Sequence, residues 1–176
     1  MTTNELIDAI IAFLTDALGD LRLERQAHIG HNAVVADTLV PVKFYAEDLP
    51  DKDEDRELVD YYPAVLVRTI EGRDEEGEGT VTTKLTFLAF DLNKNGRVVL
   101  KNMMQRTRDA LNVTRTIAGR YTLKWPLDWV IYEEQPIPEW VGEMVIHWTV
   151  PKPIPELPES DDIWYLKVSE DVIDEQ

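Results

Sequence analysis

The alternation of apolar and polar positions along the chain predicts two amphipathic helices and a set of strands. Near the start, Thr2 and Glu5 stand at capping-box spacing, and Gly19 is a natural stop for a helix. Between them, one side of a 3.6-residue helix carries Leu6, Ile7, Ile10, Ile11, Phe13, Leu14 and Leu18. The spacing therefore predicts a first helix over residues 3–18 that packs on a sheet through this side.

Five segments have the composition or the alternation of β-strands: residues 34–45, 61–70, 80–90, 120–131 and 141–150. The second and third are predicted to form a long hairpin across the acidic stretch 71–79. In the fourth, one face is predicted to be buried and consists of Tyr121, Leu123, Trp125, Leu127, Trp129 and Ile131. Pro126 removes a backbone donor, so this strand is expected at a sheet edge or bulged there.

A second helix over residues 97–112 is predicted to connect the two hairpins. Its apolar face consists of Val99, Leu100, Met103, Met104, Thr107 and Leu111. The order of elements predicts an α+β fold, with a mostly antiparallel sheet of four to five strands and both helices packed on one face. The 176 residues fit one domain, residues 1–153, followed by a proline-stiffened acidic C-terminal arm, residues 154–176.

Acidic residues are concentrated in three segments. The net charge is -16, and residues 47–60, 71–78 and 156–176 together hold 21 of the 34 acids and 4 of the 18 bases, which leaves the rest of the chain close to neutral. Long acidic runs are usually solvated, and they repel nucleic acid or pair with a basic partner. The two acidic loops predicted to face DNA or a partner contain Asp53, Glu54, Asp55, Asp74, Glu75, Glu76 and Glu78.

The second helix also carries bases on one narrow sector, Arg97, Lys101 and Arg108. Two interpretations stay open: a face that binds nucleic acid, or the complement of an acidic loop on the next copy in a head-to-tail ring. In the arm, residues 163–168 form an apolar patch that packs either on a neighbour or on its own domain. The predicted oligomer interface therefore consists of Arg97, Lys101, Arg108, Trp164, Tyr165 and Leu166.

Patterns for metal binding are incomplete in this sequence. Cysteine is absent, which excludes disulfides and thiolate metal sites. Residues 91–96 open like an EF-hand loop, but Asn102 stands where a bidentate Glu is needed. Glu24, His28 and His31 would share a face only if that segment were helical, and no HExxH pattern occurs. We therefore predict neither a metal nor another cofactor.

Catalytic and membrane signals are weak as well. Glu133, Glu134 and Glu143 are carboxylates that an enzyme could use, but their sequence spacing cannot establish the separation that an acid/base pair requires. A nucleophile elbow of the GxSxG type does not occur. The apolar stretch 6–18 is too short to span a bilayer. These patterns predict a protein that is not an enzyme and has no membrane anchor.

Three segments carry a resemblance to a known family. They read YYPAVLVRTIEGRDEEGEGTVTTKLTF, VVLKNMMQRTRDAL and IAGRYTLKWPLDWVIYEEQPIPEWVGEMVIHWTVPKP. In order and residue sequence, these segments resemble small tail-completion or tail-terminator proteins of long-tailed bacteriophages and prophages, over residues 61–153. The features that carry the likeness are Tyr-Pro before the hairpin, Gly-Arg-Tyr before the Trp-rich strand, and Glu-Gln-Pro-x-Pro-x-Trp-x-Gly before the last strand.

The resemblance implies an α+β subunit that forms a homo-oligomeric ring at the head-proximal end of the tail tube and joins tail to head. The implied partners are other copies, tail-tube proteins and head-connector proteins, while DNA passes through without specific binding. The implied location is the virion, assembled in the cytoplasm of the bacterial host. A neck connector and a tail-tube subunit fit equally, and a nucleic-acid-binding module that uses the second helix is the alternative from another class.

Overall fold

A computed structural model describes residues 3–26, 37–51, 58–75, 78–91 and 95–151. Helix α1 is Thr3–Leu18, helix α2 is Gly96–Thr114, and a short 3-10 helix covers Leu58–Tyr61. The strands are β1 Arg22–Gln26, β2 Asp37–Pro41, β3 Lys43–Ala46, β4 Ala64–Asp74, β5 Gly79–Phe90, β6 Thr116–Ile117, β7 Tyr121–Ile131 and β8 Glu139–Val150. The chain is α+β, as the sequence predicts.

The main sheet contains six strands in the order β3-β4-β5-β8-β7-β6, while β1 and β2 form a separate antiparallel ribbon. Every pairing in the main sheet is antiparallel except that of β3 with β4. The sheet is larger than the four to five strands predicted. The described part of segment 34–45 divides at Val42 into β2 and β3, and β6 is too short for an alternating pattern to show.

Both helices pack on the same face of the main sheet, α1 over β3 and β4 and α2 over β5 and β8. The predicted apolar face of α2 is buried in full, from Val99 to Leu111. Beneath it, β8 presents Trp140, Met144, Ile146 and Trp148 at alternate positions, as expected for a strand with one buried face. The prediction that the two helices share one face is confirmed.

Close backbone approach fixes how α2 sits on this face. A Cβ at Gly96, the first residue of α2, would lie 2.1 Å from Cδ1 of Trp140. A Cβ at Gly142 of β8 would lie 2.8 Å from Sδ of Met104. The helix therefore rests on β8 at two positions where only glycine leaves room for the facing side chain.

The opposite face of the sheet is partly apolar and partly polar. At one end Tyr61, Tyr62, Ala64, Leu66, Leu88 and Phe90 form a second, smaller buried cluster. Towards the other end, this face is lined by Lys84, Glu143 and His147. Across the strands, Lys84 donates to Glu143, and His147 lies within hydrogen-bond distance of Thr82. This face carries the charged groups of the central strands.

Strand β7 differs from its prediction in one important respect. Tyr121 and Leu123 are buried as expected, but Trp125 is 56% exposed and Trp129 is 50% exposed. The cause is the position of β7 near the sheet edge, because α2 covers mainly β5 and β8 and β6 pairs only with the first two residues of β7. The register between β7 and β8 shifts between Lys124 and Asp128, which agrees with the prediction that Pro126 lies at a sheet edge or in a bulge.

Candidate functional site: the outer edge of strand β7

The outer side of β7 is an open sheet edge. Its inner side pairs with β8, whereas on its outer side β6 reaches only Tyr121 and Thr122, and the amide of Leu123 donates to the carbonyl of Arg115. Within the described part of the chain, no strand pairs with the outer side of residues 124–131. Apart from Pro126, which has no N–H, the backbone groups on that side have no partner strand among the described residues. We call residues 124–131 the β7 edge.

Large apolar side chains are concentrated on and just after the β7 edge. Of the nine large hydrophobic residues exposed in the described chain, five lie between positions 125 and 137. They are Trp125, Trp129, Val130, Tyr132 and Ile137. Aromatic residues are enriched at protein interfaces, and clustered exposed apolar groups mark contact surfaces. The β7 edge thus combines an open hydrogen-bonding edge with interface-type side chains.

Basic side chains of α2 lie beside this edge. The guanidinium carbon of Arg108 lies 5.0 Å from the ring centroid of Trp129, which is cation–π distance. Arg97 and Lys101 are exposed on the same side of α2, as their spacing from Arg108 requires. We call these three residues the basic stripe. The structure brings one of its members onto the β7 edge, a relationship that the sequence prediction did not contain.

The hairpin between β4 and β5 forms an acidic tip, defined here by Asp74, Glu75 and Glu78. All three residues are exposed, and the amide of Glu75 donates to the carbonyl of Glu78 at 3.0 Å. Glu75 pairs with Arg73 at 2.9 Å, and Glu78 pairs with Lys124 of the β7 edge. Two of the predicted acidic residues are therefore neutralised locally.

The acidic tip and the start of the basic stripe lie at opposite ends of β8. Gly79 beside the tip pairs with Val150, whereas Gly96 at the start of α2 lies against Trp140. Trp140 and Val150 are ten positions apart in one strand, a span of about 34 Å. In one chain, the tip and Arg97 are therefore too far apart to pair, so any contact between them would join two copies.

Glu143, one of the carboxylates considered for catalysis, is held in a cross-strand ion pair. Its Oε1 accepts from Nζ of Lys84 at 3.1 Å, and its Oε2 accepts from the Tyr132 hydroxyl at 2.6 Å. Burial raises the pKa of Glu143, but the hydrogen bonds from Tyr132 and Lys84 and the charges of Lys84 and Arg68 outweigh it, so the net pKa is lowered. The surroundings of Glu143 therefore favour its ionised form, and Glu133 and Glu134 are exposed in the β7–β8 turn.

The described residues contain no group of three or more His, Asp or Glu side chains that could hold a metal ion. Glu24 lies in β1 and not in a helix, and His28 and His31 lie outside the described residues. Nδ1 of His147 is 3.0 Å from Oγ1 of Thr82. None of the described helices is long and apolar enough to cross a membrane.

Several predicted site residues lie outside the described residues, namely Asp53, Glu54, Asp55, Glu76, Trp164, Tyr165 and Leu166. In the described part, the structure joins Arg108 to the β7 edge and places Glu78 beside Lys124. Sequence reasoning missed the exposure of Trp125, Trp129 and their neighbours. Pro126 was the available signal, since a proline inside an alternating strand indicates an edge.

Comparison with known proteins adds no identification. The chain matches no family model and no curated protein.

Proposed function

We propose that the protein is a non-enzymatic structural subunit of a long bacteriophage tail. In this role it is a terminator or completion protein that forms a ring at the head-proximal end of the tail tube and joins tail to head. The proposal that the protein assembles with itself is supported by the β7 edge, where backbone groups without a partner strand in the described chain occur together with exposed Trp125 and Trp129. The tail role is supported by the resemblance of residues 61–153.

An open, apolar edge strand is hazardous for a protein that acts alone, because such an edge pairs readily with other strands. Natural proteins cover edges of this kind or use them for assembly. The basic stripe begins at Arg97, beside Trp140, and the acidic tip lies about 34 Å away at the other end of β8. Unlike surfaces at separate places favour head-to-tail contacts, which close into a ring when the rotation between copies permits.

Charge supports passage of DNA past this subunit without retention. The net charge is -16, and the acidic tip exposes three carboxylates, of which Glu75 and Glu78 are paired with Arg73 and Lys124. Binding to DNA depends on cations that neutralise phosphates, so an acidic lumen disfavours it. In the proposed ring, the acidic tip faces the channel or the head connector.

The first test is the mass of the purified protein over a concentration series by light scattering and sedimentation. We expect an oligomer, and we expect the triple reversal of Arg97, Lys101 and Arg108 to Glu to dissociate it. The matched control reverses Arg22, Arg115 and Arg120, which are exposed and lie outside both the basic stripe and the acidic tip. An unchanged mass of the stripe variant, or a monomer at every concentration, contradicts the proposed assembly.

The second test addresses the tail role. The protein is produced together with the tube subunit of the same tail module, and tube lengths are measured by electron microscopy. A terminator makes the tubes short and places the protein at one end of each tube. Protein found along the whole tube would indicate a tube subunit, and protein found on portals but not tubes would indicate a neck connector.

A second candidate, a nucleic-acid-binding module, is favoured by one observation, the exposure of Arg97 and Lys101 on α2. Retention of DNA that weakens steeply with salt would support it. The triple stripe reversal would then abolish DNA retention without changing the mass. The two candidates therefore give opposite results with the same variant.

A further inference from the structure

We propose that the β7 edge of one copy docks, through Trp129, into a groove on the next copy between the β1–β2 ribbon and the start of α2. This inference rests on the proposed function, because it names the surface that the β7 edge contacts when the protein assembles with itself. The two surfaces belong to one chain and lie at separate places. The contact is therefore of the head-to-tail kind, which repeats from copy to copy.

The groove presents an apolar wall to solvent. Leu39 of β2 and Val98 of α2 line it and are 65% and 57% exposed, and the buried residues Leu23 and Val99 line it as well. Its volume is about 350 Å³, which is within the range of sites that hold a small ligand. Because exposed aliphatic groups from two different elements face the same groove, they form a site for an apolar side chain.

Trp129 suits this groove in exposure and chemistry. Its indole is 50% exposed, and the guanidinium of Arg108 lies 5.0 Å from the ring centroid, which restricts the ring before any contact forms. Aromatic side chains seated in a pocket often contribute most of the binding energy of an interface. A covered indole N–H needs an acceptor, and the side-chain amides of Asn95 and Asn102 on the groove lining supply one.

The positions of the two surfaces around α2 exclude docking within one chain. At about 100° per residue, Val98 flanks the buried face of α2 on one side and Arg108 flanks it on the other. Trp129 lies on the Arg108 side. The groove lies on the side where Arg106 of α2 donates to the carbonyl of Ala17 at the end of α1. Since the helix is about 10–12 Å thick and stands between them, the groove receives Trp129 from another copy.

Charge favours the same pairing. Arg97 and Lys101 of the basic stripe are exposed beside the groove, because each directly precedes one of its lining residues on α2. On the docking surface, residues 124–134 contain one base and three acids, for a net charge of -2. One of these acids, Asp128, is adjacent to Trp129. Docking therefore brings carboxylates towards the basic stripe of the next copy.

Arg22 also lines the groove, but its charge is directed elsewhere. Its Nη1 donates to the carbonyl of Gly19 at 2.8 Å and to that of Leu21 at 3.2 Å, just after the end of α1. The contact therefore depends on the apolar wall and on the basic stripe, and a chain with Arg22 reversed should still assemble.

The first experiment places a charge in the groove. Val98→Asp should weaken self-association of the full chain at least about tenfold, because the indole would have to cover a carboxylate. Val113→Asp is the matched control, since Val113 is also an exposed valine of α2, at 86%, and lies outside the groove. Sedimentation measures the association, and urea denaturation checks that both variants fold. Equal association of the two variants overturns the proposal.

Mixing two variants tests which surfaces meet. Trp129→Asp keeps the groove and loses the docking side chain, whereas Val98→Asp keeps the docking side chain and loses the groove. Each variant alone should sediment near 20.3 kDa, and an equal mixture should give pairs of about twice that mass that grow no further. This result is specific to unlike surfaces, because each mixed pair contains one intact contact and no second one.

A mixture that stays monomeric overturns the proposal. So does a Val98→Asp chain that still associates with itself, because the β7 edge would then contact another β7 edge or a different surface.

The groove variants separate this inference from the proposed function. If the basic-stripe reversal dissociates the oligomer while Val98→Asp and Leu39→Asp leave it intact, the proposed function stands and this inference fails. If the parent chain is monomeric at every concentration, or if none of these variants changes the mass, both fail.

Discussion

The guanidinium carbon of Arg108 lies 5.0 Å from the ring centroid of Trp129, so helix α2 and the β7 edge meet through a cation and an aromatic face. The ring is half-exposed. At exposed sites a cation–π contact contributes about 0.5–1 kcal/mol. That energy is small for the fold, so the pair matters more for presenting Trp129 than for holding the domain together.

We expect Trp129→Ala to weaken self-association at least about tenfold while lowering the free energy of unfolding by no more than about 1 kcal/mol. A central aromatic group at an interface contributes much more to association than to the stability of the separate chain. Sedimentation equilibrium measures the association and urea denaturation measures the stability. Val113→Ala on α2 is the control, and equal association of the two variants would contradict the placement of the interface.

Gly96→Ala should destabilise the fold by about 1–3 kcal/mol. The added methyl group would lie 2.1 Å from Cδ1 of Trp140, so either the indole or the start of α2 must move. Urea denaturation followed by tryptophan fluorescence gives the change. The control is Gly72→Ala, where the nearest heavy atom to the added Cβ is Cγ2 of Val81 at 4.0 Å. Similar stabilities for the two variants would show that α2 is not held closely against β8.

Thr83→Val should cost about 1–3 kcal/mol, because Nε1–H of Trp148 donates to Oγ1 of Thr83 at 2.9 Å and both side chains are fully buried. Valine keeps the shape of threonine but leaves the indole N–H without an acceptor. Thr83→Ser retains the hydroxyl and should recover most of the hydrogen-bond contribution. Denaturant midpoints of the three proteins provide the measurement, and a valine variant as stable as the parent would rule out this bond as a stabilising contact.

The Glu143 ion pair predicts a pH-dependent stability on the acidic side. The pKa of Glu143 is lowered in the folded protein, so the folded state favours the ionised carboxylate. Its contribution is therefore fully present above the ordinary Glu pKa of 4.5 and is lost as pH falls through the lower folded value. The difference in unfolding free energy between the parent and Glu143→Gln should be about 0.5–1 kcal/mol at pH 7 and should shrink below pH 4.5.

The control for this experiment is Glu133→Gln in the exposed β7–β8 turn, for which we expect little difference at either pH. A Glu143→Gln difference that stays constant from pH 7 to pH 3 would mean that the ion pair with Lys84 and the bond from Tyr132 do not stabilise the carboxylate.

Local periodicity was sufficient to predict α1, the buried face of α2 and the β4–β5 hairpin. In these elements the 3.6-residue or two-residue period reports burial directly, because each has a face covered by the core shared between the helices and the sheet. The same period failed for Trp125 and Trp129, whose alternation is regular but whose outer neighbour is absent from the described chain. Alternation reports which face a side chain is on, and it contains no information about whether anything covers that face.

The candidate site was predictable only in part for a related reason. Arg97, Lys101 and Arg108 were grouped by their helical spacing, which local geometry determines. Their relation to the β7 edge depends on how α2 crosses the sheet, and that crossing is set by glycine at positions 96 and 142 against Trp140 and Met104. Such contacts join residues more than thirty positions apart, so no local pattern displays them.

The bulge around Pro126 has a consequence for how far a sheet can grow. A regular edge eleven residues long would accept any apolar strand and propagate from molecule to molecule without limit. Pro126 lacks an amide hydrogen, and the register shift between Lys124 and Asp128 interrupts the ladder. Only a short stretch of regular edge is left beyond the interruption. The interruption therefore limits any added strand to a short length, which disfavours the open-ended stacking that leads to fibrils.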